Sequence, residues 1–133
     1  MAKTPRTVLA TAQVLTDTLA VVGVIYDTTY LSEVTFELTW TQADATQLLV
    51  LVEGRLSTAG AWIPAEPVYD QAATITDDVA LAASGALGHT YTLGGALPAL
   101  RVPVGAFRSM RLRAAETGTP GGTLAAAVAG VTG

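Results

Sequence analysis

The chain of 133 residues is the length of one domain, contains no cysteine and has a formal net charge of −4. These facts exclude disulfides, thiolate nucleophiles and cysteine metal sites, and they make the chain as a whole unsuited to nucleic acid. Only 14% of the residues are charged, against an ordinary share of about 25%. Half are apolar, but with only two Trp, four Tyr and two Phe the core must be built mostly from small side chains. Such a core suits closely spaced sheets better than a bulky ligand cavity. Either Thr, Ser and Gly supply the missing surface polarity, or another chain covers part of the surface.

Residues 1–5 read as a flexible polar lead, and residues 6–133 as a single β-domain. Arg6–Leu15 alternates loosely between apolar and polar positions, and Thr16-Asp17-Thr18 turns the chain. Leu19–Tyr26 predicts a buried strand rich in β-branched residues. Its seven-residue apolar run, Leu19–Ile25, is far shorter than the roughly 20 residues of a membrane helix. The basic residues Lys3 and Arg6 before Val8–Leu15 faintly mimic a signal peptide, but Thr11, Gln13 and Asp17 interrupt it, so the chain reads as a mature intracellular product.

The clearest signal is Glu33–Thr41, where Val34, Phe36, Leu38 and Trp40 alternate with Glu33, Thr35, Glu37, Thr39 and Thr41. A period of two over nine residues predicts a strand with one buried and one wet face. After the polar loop Gln42–Thr46, Gln47–Leu56 predicts a central strand, apolar on both faces, with Gly54 read as a bulge or strand end. Ser57–Ala61 is a tight connection to Trp62-Ile63. Pro64 and Pro67 bar a regular central strand, so Glu66–Gln71 is expected as an edge or covering loop. Thr74–Ala83 fits either a short helical turn or a strand, and strand is the assignment preferred here. His89–Leu93, Leu100–Val104 and Phe107–Ala114 alternate again. Thr117–Gly122 is the strongest turn, and Thr123–Val131 is the final strand. About eight short strands with regular turn signals predict an all-β, antiparallel β-sandwich of jelly-roll-like type.

Catalytic constellations are missing. His89 is the single histidine, no Gly-x-Ser-x-Gly elbow offers a nucleophile, and His89 is expected to cap a sheet edge through a hydrogen bond. Asp77 and Asp78 on a strand point to opposite faces and read as a turn cap. Glu33 and Glu37 share a face but lie about 13 Å apart, too far for glycosidase chemistry. Together with Glu53 and Glu66 they read as solvated. Gly94-Gly95 and Gly121-Gly122 are turns, since no P-loop lysine follows them. No cofactor or metal is expected, and the chain is not expected to be an enzyme.

Charge is unevenly placed. Ten of the eleven acidic residues precede Asp78 or are Asp78 itself, whereas Arg101, Arg108, Arg111 and Arg113 gather near the end with only Glu116 beside them. Arg111 and Arg113 share one strand face, and they either pair with acidic strands of their own sheet or form a docking surface. Tyr30, Trp62 and Tyr69 lie near loops and are the candidates for stacking on a sugar.

Glu33-Val-Thr-Phe-Glu-Leu-Thr-Trp-Thr41, the loop Gln42–Thr46, Gln47-Leu-Leu-Val-Leu-Val-Glu-Gly-Arg-Leu-Ser57 and Trp62 together resemble small structural proteins of tailed-bacteriophage virions. Leu100–Glu116, the Gly118-Thr-Pro-Gly-Gly122 turn and the terminal Ala/Val strand are similar to the closing strands of the same proteins. The resemblance implies a virion protein, most specifically a capsid decoration or cement protein that binds and stabilises the phage head. Its implied partner is the major capsid protein, its implied state a homotrimer, and its location the capsid of a virion assembled in the host cytoplasm. Neither nucleic acid nor membrane is implied as a partner. On this reading Lys3, Arg6, Arg111 and Arg113 are the candidate capsid contacts. The competing reading is a carbohydrate- or receptor-binding sandwich of a tail appendage, using Tyr30, Trp62 and Tyr69.

Overall fold

Alternation along Glu33–Thr41 becomes a strand whose Val34, Phe36, Leu38 and Trp40 are all closed to solvent. The computed structural model describes residues 3–65, 68–69, 76–77 and 89–132. Among these residues there are twelve strands and no helix. They are β1 (Thr7–Val14), β2 (Ala20–Ile25), β3 (Glu33–Thr41), β4 (Ala45–Arg55), β5 (Ile63–Pro64), β6 (Val68–Tyr69), β7 (Thr76–Asp77), β8 (His89–Tyr91), β9 (Gly95–Ala96), β10 (Leu100–Pro103), β11 (Ser109–Gly118) and β12 (Thr123–Val131).

The strands form two antiparallel sheets packed face to face. The first runs β1-β12-β3-β10-β6, with β9 also on β3; the second runs β2-β11-β4-β8-β7, with β5 also on β4. Successive long strands alternate between the sheets, so the chain winds around the core rather than along one sheet. Leu48, Val50 and Val52 of β4, Met110 and Leu112 of β11, Leu100 and Val102 of β10 and Leu124 of β12 fill the space between, all buried. An all-β antiparallel sandwich is what the alternation predicts. The strand count exceeds about eight because β5, β6, β7 and β9 are two-residue pieces too short to show a period.

Local departures have local causes. The loose alternation of β1 reflects shifts in its pairing with β12 between Val8 and Ala10 and between Ala10 and Gln13. Gly54 makes no bulge: it pairs with Met110 and Ile63 in unbroken register. The Phe107 ring lies where a Cβ on Gly54 would sit, so glycine is required for close approach. β9 and β10 lie along opposite halves of β3, interrupted where Pro98 has no N–H to donate, while the Leu97 N–H reaches the Leu38 carbonyl at 2.9 Å. His89 is not at a sheet edge: β8 lies between β4 and β7, and His89 pairs with Val50 and Asp77. Val68–Tyr69 is one edge strand of the first sheet, opposite β1, and Thr76–Asp77 one of the second, opposite β2. The remainder of Glu66–Gln71 and Thr74–Ala83, including Asp78, lies outside the described residues.

One buried carboxylate ties these layers together. Glu116, on β11 of the second sheet, is only 1% exposed. Its Oε2 accepts the Trp40 indole N–H from the first sheet at 2.7 Å. Its Oε1 accepts the backbone N–H groups of Gly121 and Gly122 at 3.0 and 2.9 Å, in the connection to β12. Its own N–H donates to the Thr16 carbonyl at 2.8 Å. A Cβ on Gly122 would overlap the carboxylate and the Thr41 carbonyl, so this connection too requires glycine.

Replacing Glu116 with Gln leaves one acceptor oxygen and turns an amide N–H₂ toward other donors. The expected cost is about 2–3 kcal/mol. Trp40→Ala, which also opens a core cavity, should cost about 3–5 kcal/mol. The double variant should lose less than the sum, because both single changes break the same bond. Chemical denaturation of the four proteins checks this, and strict additivity would contradict it.

Burial holds the His89 imidazole below its usual pKa. Protonation therefore favours the unfolded chain. The contribution of neutral His89 is complete above about pH 6.5, the unfolded value, and is lost as pH falls through the lowered folded value. Thermal melts between about pH 7.5 and 5 should show a smaller acid loss in His89→Gln than in the parent. Parallel pH profiles would refute the assignment.

Candidate docking surface

β11 divides its side chains as the alternation requires. Met110, Leu112 and Ala114 enter the core, while Ser109, Arg111 and Arg113 stand on the outer face of the second sheet. On β4 next to it, Glu53 sits directly opposite Arg111 and diagonally from Arg113, which pairs with Leu51. Cross-strand neighbours at this spacing reach one another. Arg111 Nε is 2.8 Å and Arg113 Nη1 3.5 Å from the same Glu53 Oε1. Arg113 Nη2 also donates to the Leu19 carbonyl at 3.2 Å.

Glu53 was expected on a solvated face, yet it is buried: the two guanidinium groups shield it. Trp62 arrives from the Ser57–Gly60 turn, immediately before Ile63 pairs with Gly54. The Cζ atoms of Arg55 and Arg111 lie 4.5 and 4.4 Å from the Trp62 ring centre. Each such stack contributes about 0.5–2 kcal/mol, more when desolvated. Beyond the stack, Arg55 has its Nε buried without an acceptor among the described residues. Arg111 and Arg113 thus share one carboxylate, while Arg111 and Arg55 share a half-buried indole.

The four residues expected to meet a capsid do not share a face. Arg111 and Arg113 belong to this outer surface of the second sheet. Arg6 pairs with Glu37 at 2.5 Å over the first sheet, both side chains well exposed. Lys3 bridges Val131 beyond the end of β1, and the Thr4 N–H donates to the Gly130 carbonyl, so from Lys3 on the lead lies along β12.

The three sugar-stacking candidates are likewise dispersed. Trp62 has guanidinium groups over its ring, where a sugar would stack. Tyr69 belongs to β6, and its side chain is outside the described residues. Tyr30, 80% exposed, borders an apolar groove of about 350 Å³ with Pro5, Ile25, Leu31 and Val128. At its rim the Asp27 carboxyl is held below the usual range by hydrogen bonds from Thr29, whose backbone N–H donates at 3.0 Å.

Sequence reasoning overlooked Arg55 and misplaced Glu53. Both follow from the register of β4 on β11, which a single sequence does not state.

This fold occurs in proteins of two prophages. The crystal structure of the PBSX exported protein XepA matches 98% of this chain with a TM-score of 0.60 at 16% identity, and the chain spans 38% of XepA. The crystal structure of the SPBc2 prophage-derived protein YomS matches 96% of this chain with a TM-score of 0.52 at 8% identity, across 92% of YomS. At such identities the likeness is one of fold. No protein-family model and no curated protein sequence matches the chain.

Removing the shared carboxylate should matter more than removing an exposed one. Glu53→Gln leaves Arg111 and Arg113 without their counter-charge and should cost about 1–2 kcal/mol, a buried-pair loss discounted for the partial exposure of both arginines. Glu37→Gln, which breaks the exposed pair with Arg6, should cost no more than about 0.5 kcal/mol. Equal melting temperatures for the two variants would show that the outer-face cluster is not a structural unit.

Proposed function

We propose that the chain is a non-enzymatic structural protein of a bacteriophage virion, a decoration protein that seats on the head and reinforces it. The observation carrying this reading is the end-to-end likeness of fold to two prophage proteins. It agrees with the virion-protein resemblance of the Glu33–Ser57 and Leu100–Val131 segments. Taking the eight longest strands, β1-β12-β3-β10 faces β2-β11-β4-β8, and the chain changes sheet at every step except from β4 to its neighbour β8. We read this winding as a jelly roll.

The major capsid protein is the proposed partner, and the outer face of the second sheet the proposed contact. Arg111 and Arg113 are a positive surface on an otherwise acidic chain, and complementary charge steers and registers such docking. Self-association as a trimer is supported by the low charge content and by the flank where β1 and β2 are both outermost strands. Val8, Val14 and Val21 are exposed there.

Particles assembled without this protein supply the test. Purified wild type should saturate them, and Arg111→Ala/Arg113→Ala should bind at least about tenfold more weakly, with melts showing how much of each variant is folded. A variant lacking residues 1–6 asks whether Lys3 and Arg6 on the other face contribute. Unchanged occupancy by both variants would sink the docking model, and light scattering at 13.6 kDa, a monomer, would sink the trimer.

A further inference from the structure

We infer that Trp62, Arg55 and Arg111 form a preorganised receptor for carboxylate side chains, and that it takes a short acidic segment of a partner protein. The inference rests on the proposed function only for the partner's identity. The chemistry comes from which donors remain uncommitted. A guanidinium that stacks through its face keeps its N–H edge available, and its planar fork matches a carboxylate. Arg111 commits Nε to Glu53, leaving its Nη groups. Arg55 makes no ion pair among the described residues, and its Nε is buried without an acceptor. That Nε is closed to an incoming ligand, so the groups left to meet one are the Nη groups of Arg55 and Arg111; Glu53 is engaged by Arg111 and Arg113 through a single oxygen.

Stacking against one indole also limits the motion of both guanidinium groups before any ligand binds, so less entropy is lost on binding. The surroundings select the kind of anion. Leu56 and Ile63, next along the chain to Arg55 and Trp62, are 58% and 42% exposed. They offer apolar contact to residues flanking an acidic side chain. A nucleic-acid backbone has no use for such contacts, and its extended charge is repelled by a chain of net charge −4. The fitting ligand is therefore a segment in which glutamate or aspartate stands beside aliphatic residues.

The two tryptophans provide the assay. Trp40 donates its indole N–H to Glu116 in the core and serves as internal reference, whereas Trp62 lies in the site. The full chain, labelled with nitrogen-15, is titrated with a capped Leu-Glu-Glu-Leu peptide, with its Leu-Gln-Gln-Leu counterpart and with inorganic phosphate, while both indole resonances are followed. A saturable shift of Trp62 with the glutamate peptide, and none of Trp40, is expected. Arg55→Gln should weaken that response about tenfold or more, with the Trp40 resonance unshifted from the parent's to show that the variant is folded and the melting temperature lowered only by loss of the stack on Trp62. An equal response to the glutamine peptide, an equal or stronger response to phosphate, or indifference to Arg55→Gln would overturn the inference. A saturable peptide response from a protein that ignores particles would uphold this receptor and discard the capsid as its partner.

Discussion

The Glu116 carboxylate is the contact on which the two-layer arrangement turns. A sandwich of small apolar side chains has little to stop one sheet sliding over the other, since Val, Leu and Ala contacts are non-directional. Glu116 supplies direction. It belongs to the second sheet, receives the Trp40 N–H from the first, and receives two N–H groups from the connection between them. None of the three donors is cationic, so the charge is compensated by oriented dipoles alone, each bond being charge-assisted. Removing a donor would leave a buried anion short of partners, and such groups are costly out of proportion to their net contribution when satisfied. The requirement spreads outward: Trp40 must face inward, which sets the register of β3, and Gly122 must lack a side chain, which sets the entry to β12.

The two outer faces are built differently. Over the first sheet, β3 and β12 present Thr and Ala with the exposed Arg6–Glu37 pair above them. Over the second, Glu53 is buried beneath Arg111 and Arg113, and Arg111 in turn stacks on the indole of Trp62. The first arrangement contributes little energy, because long exposed side chains lose entropy on pairing and water screens the charges. The second holds its charges in fixed positions. Two guanidinium groups are held against one ring and two against one carboxylate, with Arg111 common to both, so the donors of this face stand in a set geometry.

What could be read from the sequence was what depends on period and punctuation. β3 came from its alternation, β4 from an apolar run too long for one buried face, β11 and β12 from a strong glycine turn between them. The inward placement of Trp40 followed from sharing parity with Val34, Phe36 and Leu38. What stayed hidden depends on register between strands distant in sequence. Glu116 looked like the lone acidic neighbour of an arginine cluster, yet none of its side-chain partners is an arginine; they lie on β3 and in the connection to β12. Arg111 and Arg113 could be placed together on one face, but that Glu53 lies under them needs the pairing of β11 with β4. The two-residue strands were invisible for a simpler reason: two residues carry no period. Gly54, read as a bulge or strand end, does stand one residue before the end of β4, but what requires glycine there is the Phe107 ring, which the sequence does not place.

The sparse charge of the chain finds its physical context at the flank formed by β1 and β2. Both are outermost strands on the same side of the sandwich, so among the described residues each leaves one row of backbone N–H and C=O groups without a strand partner. Long regular edges invite uncontrolled strand addition, which proteins suppress with charge, proline or broken register. Here the charge is scarce, and broken register takes its place: β1 shifts twice against β12, and β2 once against β11 between Leu112 and Arg113. Such shifts interrupt the even spacing that another chain's strand would need along the full edge, while Val8, Val14 and Val21 remain exposed beside them. A flank that discourages backbone pairing but keeps apolar side chains favours contacts made by side chains. Those contacts can close on themselves around a symmetry axis, whereas edge-to-edge strand addition has no built-in end.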